Sequence, residues 1–216
     1  AGCSQEISAP KTKSIDHFDE YHGQKVSDPY RWLEDFTNDE VKEWVNEQND
    51  FSKQFTENKY KTSIKKNLES IWTSEYLSTP YKVQGKTFYY FNTGKLQQNK
   101  LMVKDCDSCI ERVLIDPNQF SSDGTIALAS ASVSPDGKWL AFAQSDGGSD
   151  WRTWRIMDIE NGQMLADELS WSKFSGAEWS PDSKGFFYRK YPIPNGEELS
   201  DVNSHPAIMY HALGTE

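Results

Sequence analysis

One phrase occurs twice in this chain. SPDGKWLAF runs from Ser134 to Phe142, and SPDSKGFFY begins 46 residues later at Ser180. Self-similarity at a period of this size marks a repeat architecture. Each copy opens with turn chemistry: proline presets φ, aspartate bonds its own backbone, and glycine is free to take φ > 0. A short apolar and aromatic run follows, as a strand requires. A weaker third copy lies upstream, where Gly85-Lys86 leads into TFYYF, ending at Phe91. Further strand-like runs follow the copies in turn: KLMVK (100–104) and ERVLI (111–115), then WRTWRIMDI (151–159), then PAIMYHAL (206–213). Several strands per unit, at roughly 45–50 residues per unit, is the spacing of a β-propeller blade. The plainer alternative is an antiparallel meander with similar turns.

The arithmetic bears on domain organisation. Residues 80–216 hold only about three blades, whereas closed propellers have roughly four to eight. Three blades would leave an unpaired edge and an open face between blades. The expectation is the front part of a longer protein, with its chemistry elsewhere.

Composition narrows the partners. The net charge of −10 argues against nucleic acid and against anionic membrane surfaces. Aromatic residues make up 13%, which suits broad sheets packed face to face. No run approaches the length of a transmembrane helix.

The first residues, Ala1-Gly2-Cys3-Ser4, look like the end of a bacterial lipoprotein signal, in which a cysteine becomes lipidated at the new N-terminus. Residues 1–15 then read as a disordered tether. A cloning or truncation scar is the other reading. Lipidation at Cys3 would give a membrane tether and place the protein in the periplasm or cell envelope; otherwise it is cytoplasmic. Export would expose Cys106 and Cys109, in KDCDSCIER, to an oxidising compartment. The pair falls in the turn between two strands, with no second C-x-x-C and no nearby histidine, which argues against zinc. A disulfide clamping the hairpin is the first expectation, and free thiols the second. No cofactor or metal is implied.

Before the repeats comes a helical stretch. Thr37 followed by Glu40 fits a capping box. Val41, Trp44, Val45, Gln48, Phe51 (or Ser52) and Phe55 follow at helical spacing. A second helix near 60–75 carries Ile64, Leu68, Ile71 and Trp72 on one face, and Thr79-Pro80 ends it. Residues 16–79 therefore form a helical arm whose apolar faces need a partner.

The arm also carries a resemblance. VSDPYRWLED (Val26 to Asp35), preceded by Tyr21-His22-Gly23, closely resembles the N-terminal signature of prolyl oligopeptidases. LIDPN (114–118), SSDGT (121–125), GGSDW (147–151), SKFSGAEWSPDSKGFFY (172–188) and MYHALGT (209–215) continue it in order. The tether and the C-D-S-C hairpin lie outside it. The resemblance implies a mainly β fold: part of a seven-bladed propeller, about three blades over 80–216, preceded by an arm that wraps an α/β-hydrolase domain. It implies a serine peptidase that cuts short peptides after proline, its propeller gating access. DPYRWLED then reads as a docking segment, with Trp32 buried and Arg31 paired to a carboxylate.

The chemistry of such an enzyme needs a G-x-S-x-G elbow, and the chain has none. Gly148-Ser149-Asp150 lacks the second glycine, and His17, His22, His205 and His211 are scattered. The family's triad lies in the C-terminal domain, so no catalytic residue is expected in these 216. Two positions match family sites that touch substrate. Phe174 would line the pocket for the substrate proline, its flat apolar ring suiting a pyrrolidine; alternatively it is blade core. Asp150 would face the central cavity and attract positive groups; alternatively it is an Asx-turn residue before Trp151. Two other functions stay open: an oligopeptidase cutting after basic residues, and a non-catalytic propeller that binds partners. The DPYRWLED arm discriminates against the second, because a plain binding propeller has no hydrolase domain to wrap.

Overall fold

The computed structural model describes residues 8–196 and 202–215. Cys3 lies outside them. The chain divides between Ile71 and Trp72 into two compact units.

In the first unit, a hairpin of β1 (Phe18–Tyr21) and β2 (Gln24–Ser27) follows residues 8–17, which belong to no helix or strand. A 3₁₀ turn at Arg31–Glu34 precedes α1 (Asp39–Thr56) and α2 (Lys59–Trp72). The tether reading does not hold for residues 12–15. The Trp44 indole N–H donates to Thr12 Oγ1 at 3.1 Å, and the Trp32 N–H to the Lys13 carbonyl at 2.9 Å. The Ile15 N–H donates to the Pro29 carbonyl at 3.0 Å. Two tryptophan N–H groups need partners when half-buried, and the Thr12 hydroxyl and the Lys13 carbonyl supply them.

The capping box is also corrected. Asn38, not Thr37, caps α1: its Oδ1 accepts from the Glu40 N–H at 2.9 Å. Thr37 instead bonds Asp35, its hydroxyl donating to Asp35 Oδ1 at 2.6 Å. Arg31 meets the carboxylates of Asp19, Asp28 and Glu34. Val41 is the buried residue of α1, while on α2 Tyr60, Ile64, Leu68, Ile71 and Trp72 are all exposed.

The second unit is three antiparallel sheets. The first holds β3 (Tyr76–Leu77), β4 (Tyr81–Val83), β5 (Lys86–Asn92), β6 (Lys100–Lys104) and β7 (Arg112–Ile115), with β3 and β4 both paired to β5. The second is a meander of β8 (Ala127–Val133), β9 (Trp139–Ser145), β10 (Arg152–Asp158) and β11 (Met164–Ser172). The third holds β12 (Glu178–Trp179), β13 (Gly185–Lys190) and β14 (Ala207–Ala212). Consecutive antiparallel meanders stacked face to face are successive propeller blades.

Strand periodicity explains the stacking. On β9, Leu140 and Phe142 face a core shared with Phe88, Leu101 and Val103 of the first sheet. Ala141 and Ala143 point the other way, where Trp154 and Ile156 of β10 meet Phe186 and Tyr188 of the third sheet. Alternate residues line opposite faces. Small alanines thus make room for the Trp154 and Phe186 rings, 6.1 Å apart. The middle sheet is buried on both sides, so its core strands lack polar alternation.

The repeated phrase folds the same way twice. Ser134 Oγ donates to Asp136 Oδ1 at 2.5 Å, and that oxygen accepts from the Lys138 N–H at 3.0 Å. Ser180 Oγ and the Lys184 N–H meet Asp182 Oδ1 at 2.7 and 3.2 Å. The upstream copy is a different turn. Gln84 and Gly85 both have positive φ, 49° and 81°, the type I′ hairpin geometry that joins β4 directly to β5.

Candidate functional site

The expected site residues lie on two loops of the second sheet. Asp150 sits between β9 and β10 and Phe174 just after β11. Antiparallel pairing sets Arg152 opposite Ser172, which brings both loops to one end of the blade. Asp150 is exposed. The N–H of the next residue, Trp151, donates to Ser149 Oγ at 3.1 Å. Phe174 is 56% exposed, so it is not blade core.

The loop bearing Phe174 is irregular for an identifiable reason. Between the Arg152–Ser172 and Trp154–Leu169 pairs, β10 has one residue and β11 has two. This β-bulge re-aims the strand end. Trp171 inside it has φ 64°, and Phe174 beyond it has φ 52°. A positive φ costs a bulky residue of order 1–3 kcal/mol and persists only where the surroundings fix it.

Those surroundings are dense. Ser172 Oγ accepts from the Trp154 indole N–H at 3.1 Å. Arg152 Nη1 donates to the Ser175 carbonyl at 2.9 Å, and Ser175 Oγ accepts from the Arg189 N–H at 3.1 Å. The Tyr191 N–H donates to the Trp171 carbonyl at 2.8 Å. The Trp151 ring meets Trp171 and Tyr191 edge-on, at 5.4 and 6.1 Å. Over its face lies the Lys173 ammonium, 3.7 Å from the ring centroid. In the sequence Trp151 shows only as part of the GGSDW motif, and Lys173 only as a neighbour of Phe174. A lysine between two aromatics, just past a strand end and four residues before the core alanine Ala177, carries no pattern that singles it out.

Cys106 and Cys109 are joined by a disulfide in the turn between β6 and β7, where the Cys109 N–H also donates to the Cys106 carbonyl at 3.0 Å. Around the turn, Arg112 and Lys86 hold Asp105, and the hydrogen bond from Arg112 keeps that carboxyl below its ordinary range. Among the histidines, His211 is the buried one. Its Nε2 lies 2.6 Å from Asp167 Oδ1, which also accepts from the Gly214 N–H at 2.8 Å. That pair ties β14 to β11 and offers no access to a substrate. No group of histidine, cysteine and acidic residues among the described residues is arranged to hold a metal.

Comparison with known proteins decides the family. The model for the N-terminal β-propeller domain of prolyl oligopeptidase matches residues 10–216. The chain belongs to the prolyl oligopeptidase family. It is 39% identical over 215 residues to a prolyl endopeptidase of Elizabethkingia miricola, covering 99% of this chain and 30% of that protein. Prolyl oligopeptidase A of Amanita bisporigera is 30% identical over 241 residues, covering 95% of this chain and 31% of its own length. A structure from a study of the mechanism of two prolyl endopeptidases superposes with a TM-score of 0.84 at 33% identity, over 97% of this chain and 31% of that one. Prolyl oligopeptidase B of Galerina marginata, bound to a 35mer hydrolysis and macrocyclization substrate, gives 0.80 at 29%, over 97% and 32%. The chain therefore spans just under a third of the length of these relatives. With the family goes the fold: the three sheets are blades of its propeller.

Proposed function

We propose that this chain is the N-terminal part of a prolyl oligopeptidase, a serine peptidase that hydrolyses short peptides after proline. The observation that carries the reading is the similarity along nearly the whole chain to prolyl endopeptidases more than three times as long. The serine, aspartate and histidine of acyl transfer belong to the further polypeptide, an α/β-hydrolase domain. The exposed apolar face of α2, Ile64, Leu68 and Ile71, suits a partner of that kind. On its own the chain binds and excludes; it does not cut. Phe174 supplies an apolar ring for the substrate proline, and Asp150 a negative charge for a peptide amine. Cys3 is lipidated and holds the protein at the cell envelope.

The test compares the full-length gene product with this 216-residue chain on fluorogenic peptides carrying proline or arginine before the leaving group. The full-length protein should prefer proline, and the chain alone should be inert. Phe174→Ala should lower kcat/KM for the proline substrate roughly five- to tenfold, mostly through KM. A preference for arginine would replace the reading with the basic-residue peptidase. No cleavage by either protein would leave the binding module.

A further inference from the structure

Lys173 is 8% exposed, and no carboxylate pairs with it among the described residues. A buried ammonium without a counter-ion is costly unless something compensates it. Here the compensation is the face of Trp151, 3.7 Å from the ammonium nitrogen. The two residues come from the two loops that carry the candidate site: Trp151 follows Asp150, and Lys173 precedes Phe174. The backbone turns left-handed at Trp171 and again at Phe174, on either side of the buried Ser172-Lys173 pair. With Ser172 and Lys173 drawn inward, Phe174 is driven outward into solvent.

We infer that Lys173 is a positioning residue: its cation–π contact with Trp151 locks the two loops together and fixes the Phe174 ring where a substrate proline would meet it. The inference rests on the proposed role of Phe174, and its test separates the two. Leucine-like bulk at this position would fill the space but not attract the ring face. Arginine would keep the attraction. An unlocked loop should sample other conformations and return Phe174 to its place only part of the time. The cost should fall on substrate binding first.

The experiment uses the full-length enzyme as wild type, Lys173→Met, Lys173→Arg and, as a second way to weaken the contact without removing the lysine, Trp151→Phe. Hydrogen exchange of the amides of residues 172–175 reads the lock without any substrate. Steady-state assays with proline and alanine peptides read its consequence. Lys173→Met should speed exchange in this segment and raise KM for the proline substrate roughly three- to thirtyfold, the range a desolvated cation–π contact spans. Trp151→Phe should do the same more weakly, and Lys173→Arg should restore both. In a Phe174→Ala background, Lys173→Met should leave the proline-to-alanine ratio unchanged. Exchange that is the same in Lys173→Met and wild type overturns the lock. Faster exchange with an unchanged KM for proline makes Lys173 a brace of the fold only, and also overturns the inference. So does an arginine variant as impaired as the methionine one. Should the wild-type enzyme show no taste for proline, the proposed function falls, while the exchange measurement still decides whether the lock exists.

Discussion

The Asp136 N–H donates to Ser183 Oγ at 3.0 Å, so the Ser-Pro-Asp turn of one blade is bolted to its copy in the next. The ladder begins one blade earlier, where Gln84 Nε2 donates to the Pro135 carbonyl at 3.0 Å. Ser183 stands where the first copy has Gly137, and both are left-handed, at φ 59° and 70°. A serine there accepts backbone strain and gains the cross-blade bond. The repeat in the sequence is thus a repeat of contacts between turns, as well as of turns.

That trade is testable at Ser183. Alanine keeps the strain and takes away the partner of the Asp136 N–H, so it should cost about 0.5–1.5 kcal/mol. Glycine also loses the bond but relieves the positive φ, and should cost less. Stability in denaturant should rank serine above glycine above alanine. Alanine equal to serine would mean that the bond contributes nothing between blades.

Two glycines with nearly the same φ should respond very differently. Gly85 (φ 81°) has nothing within 4 Å of a Cβ, whereas at Gly94 (φ 83°) a Cβ would fall 2.2 Å from the Thr73 carbonyl oxygen. Gly85→Ala should cost about 1–2 kcal/mol from the left-handed conformation alone. Gly94→Ala must also push backbone aside, for roughly 2–5 kcal/mol in all. Comparable melting shifts for the two variants would show that the close approach to Thr73 does not persist in solution.

How far these features could be read beforehand depended on how local their causes are. The strands led by turn chemistry, β5, β9 and β13, show in the sequence because Gly85, Pro135-Asp136 and Pro181-Asp182 act within a few residues. β8, ALASASV, did not, because it is the edge strand of its sheet, half-buried along its whole length, and its small residues give little contrast. The capping error has a similar source: Thr37 and Asn38 are both good caps, and only the Asp35 carboxylate, by engaging Thr37, settles between them. Phe174 and Asp150 were reachable only through resemblance. The Lys173–Trp151 contact was not reachable at all, since it depends on the register of β10 against β11 and on the bulge at Trp171.

The disulfide should resist labelling and matter little to folding. Cys106 and Cys109 are separated by three positions, and closing so short a loop removes little freedom from the unfolded chain. Reduction should cost at most about 2 kcal/mol. Thiol alkylation read by mass spectrometry should modify neither cysteine before reductant and both after it. Complete labelling without reductant would show that the turn holds two free thiols.

The alkaline limit of stability should be set by desolvated phenols. Desolvation of the hydroxyl pushes Tyr81 and Tyr89 up to about 12, although the Tyr81 residue as a whole is 39% exposed, and Tyr89 also donates its hydroxyl to Glu111. In the unfolded chain a tyrosine loses its proton near 10. Between those values the native state holds protons that the unfolded state has released. Stability therefore falls as pH rises through this window, and it is fully present below about pH 10. Tyr89→Phe removes one titrating group and should flatten the fall, while losing the bond to Glu111 at every pH. Near-ultraviolet difference absorbance should show part of the ten tyrosines ionising late, near 12. If all ten titrated together near 10 while the protein stayed folded, the burial of these two hydroxyls would be refuted.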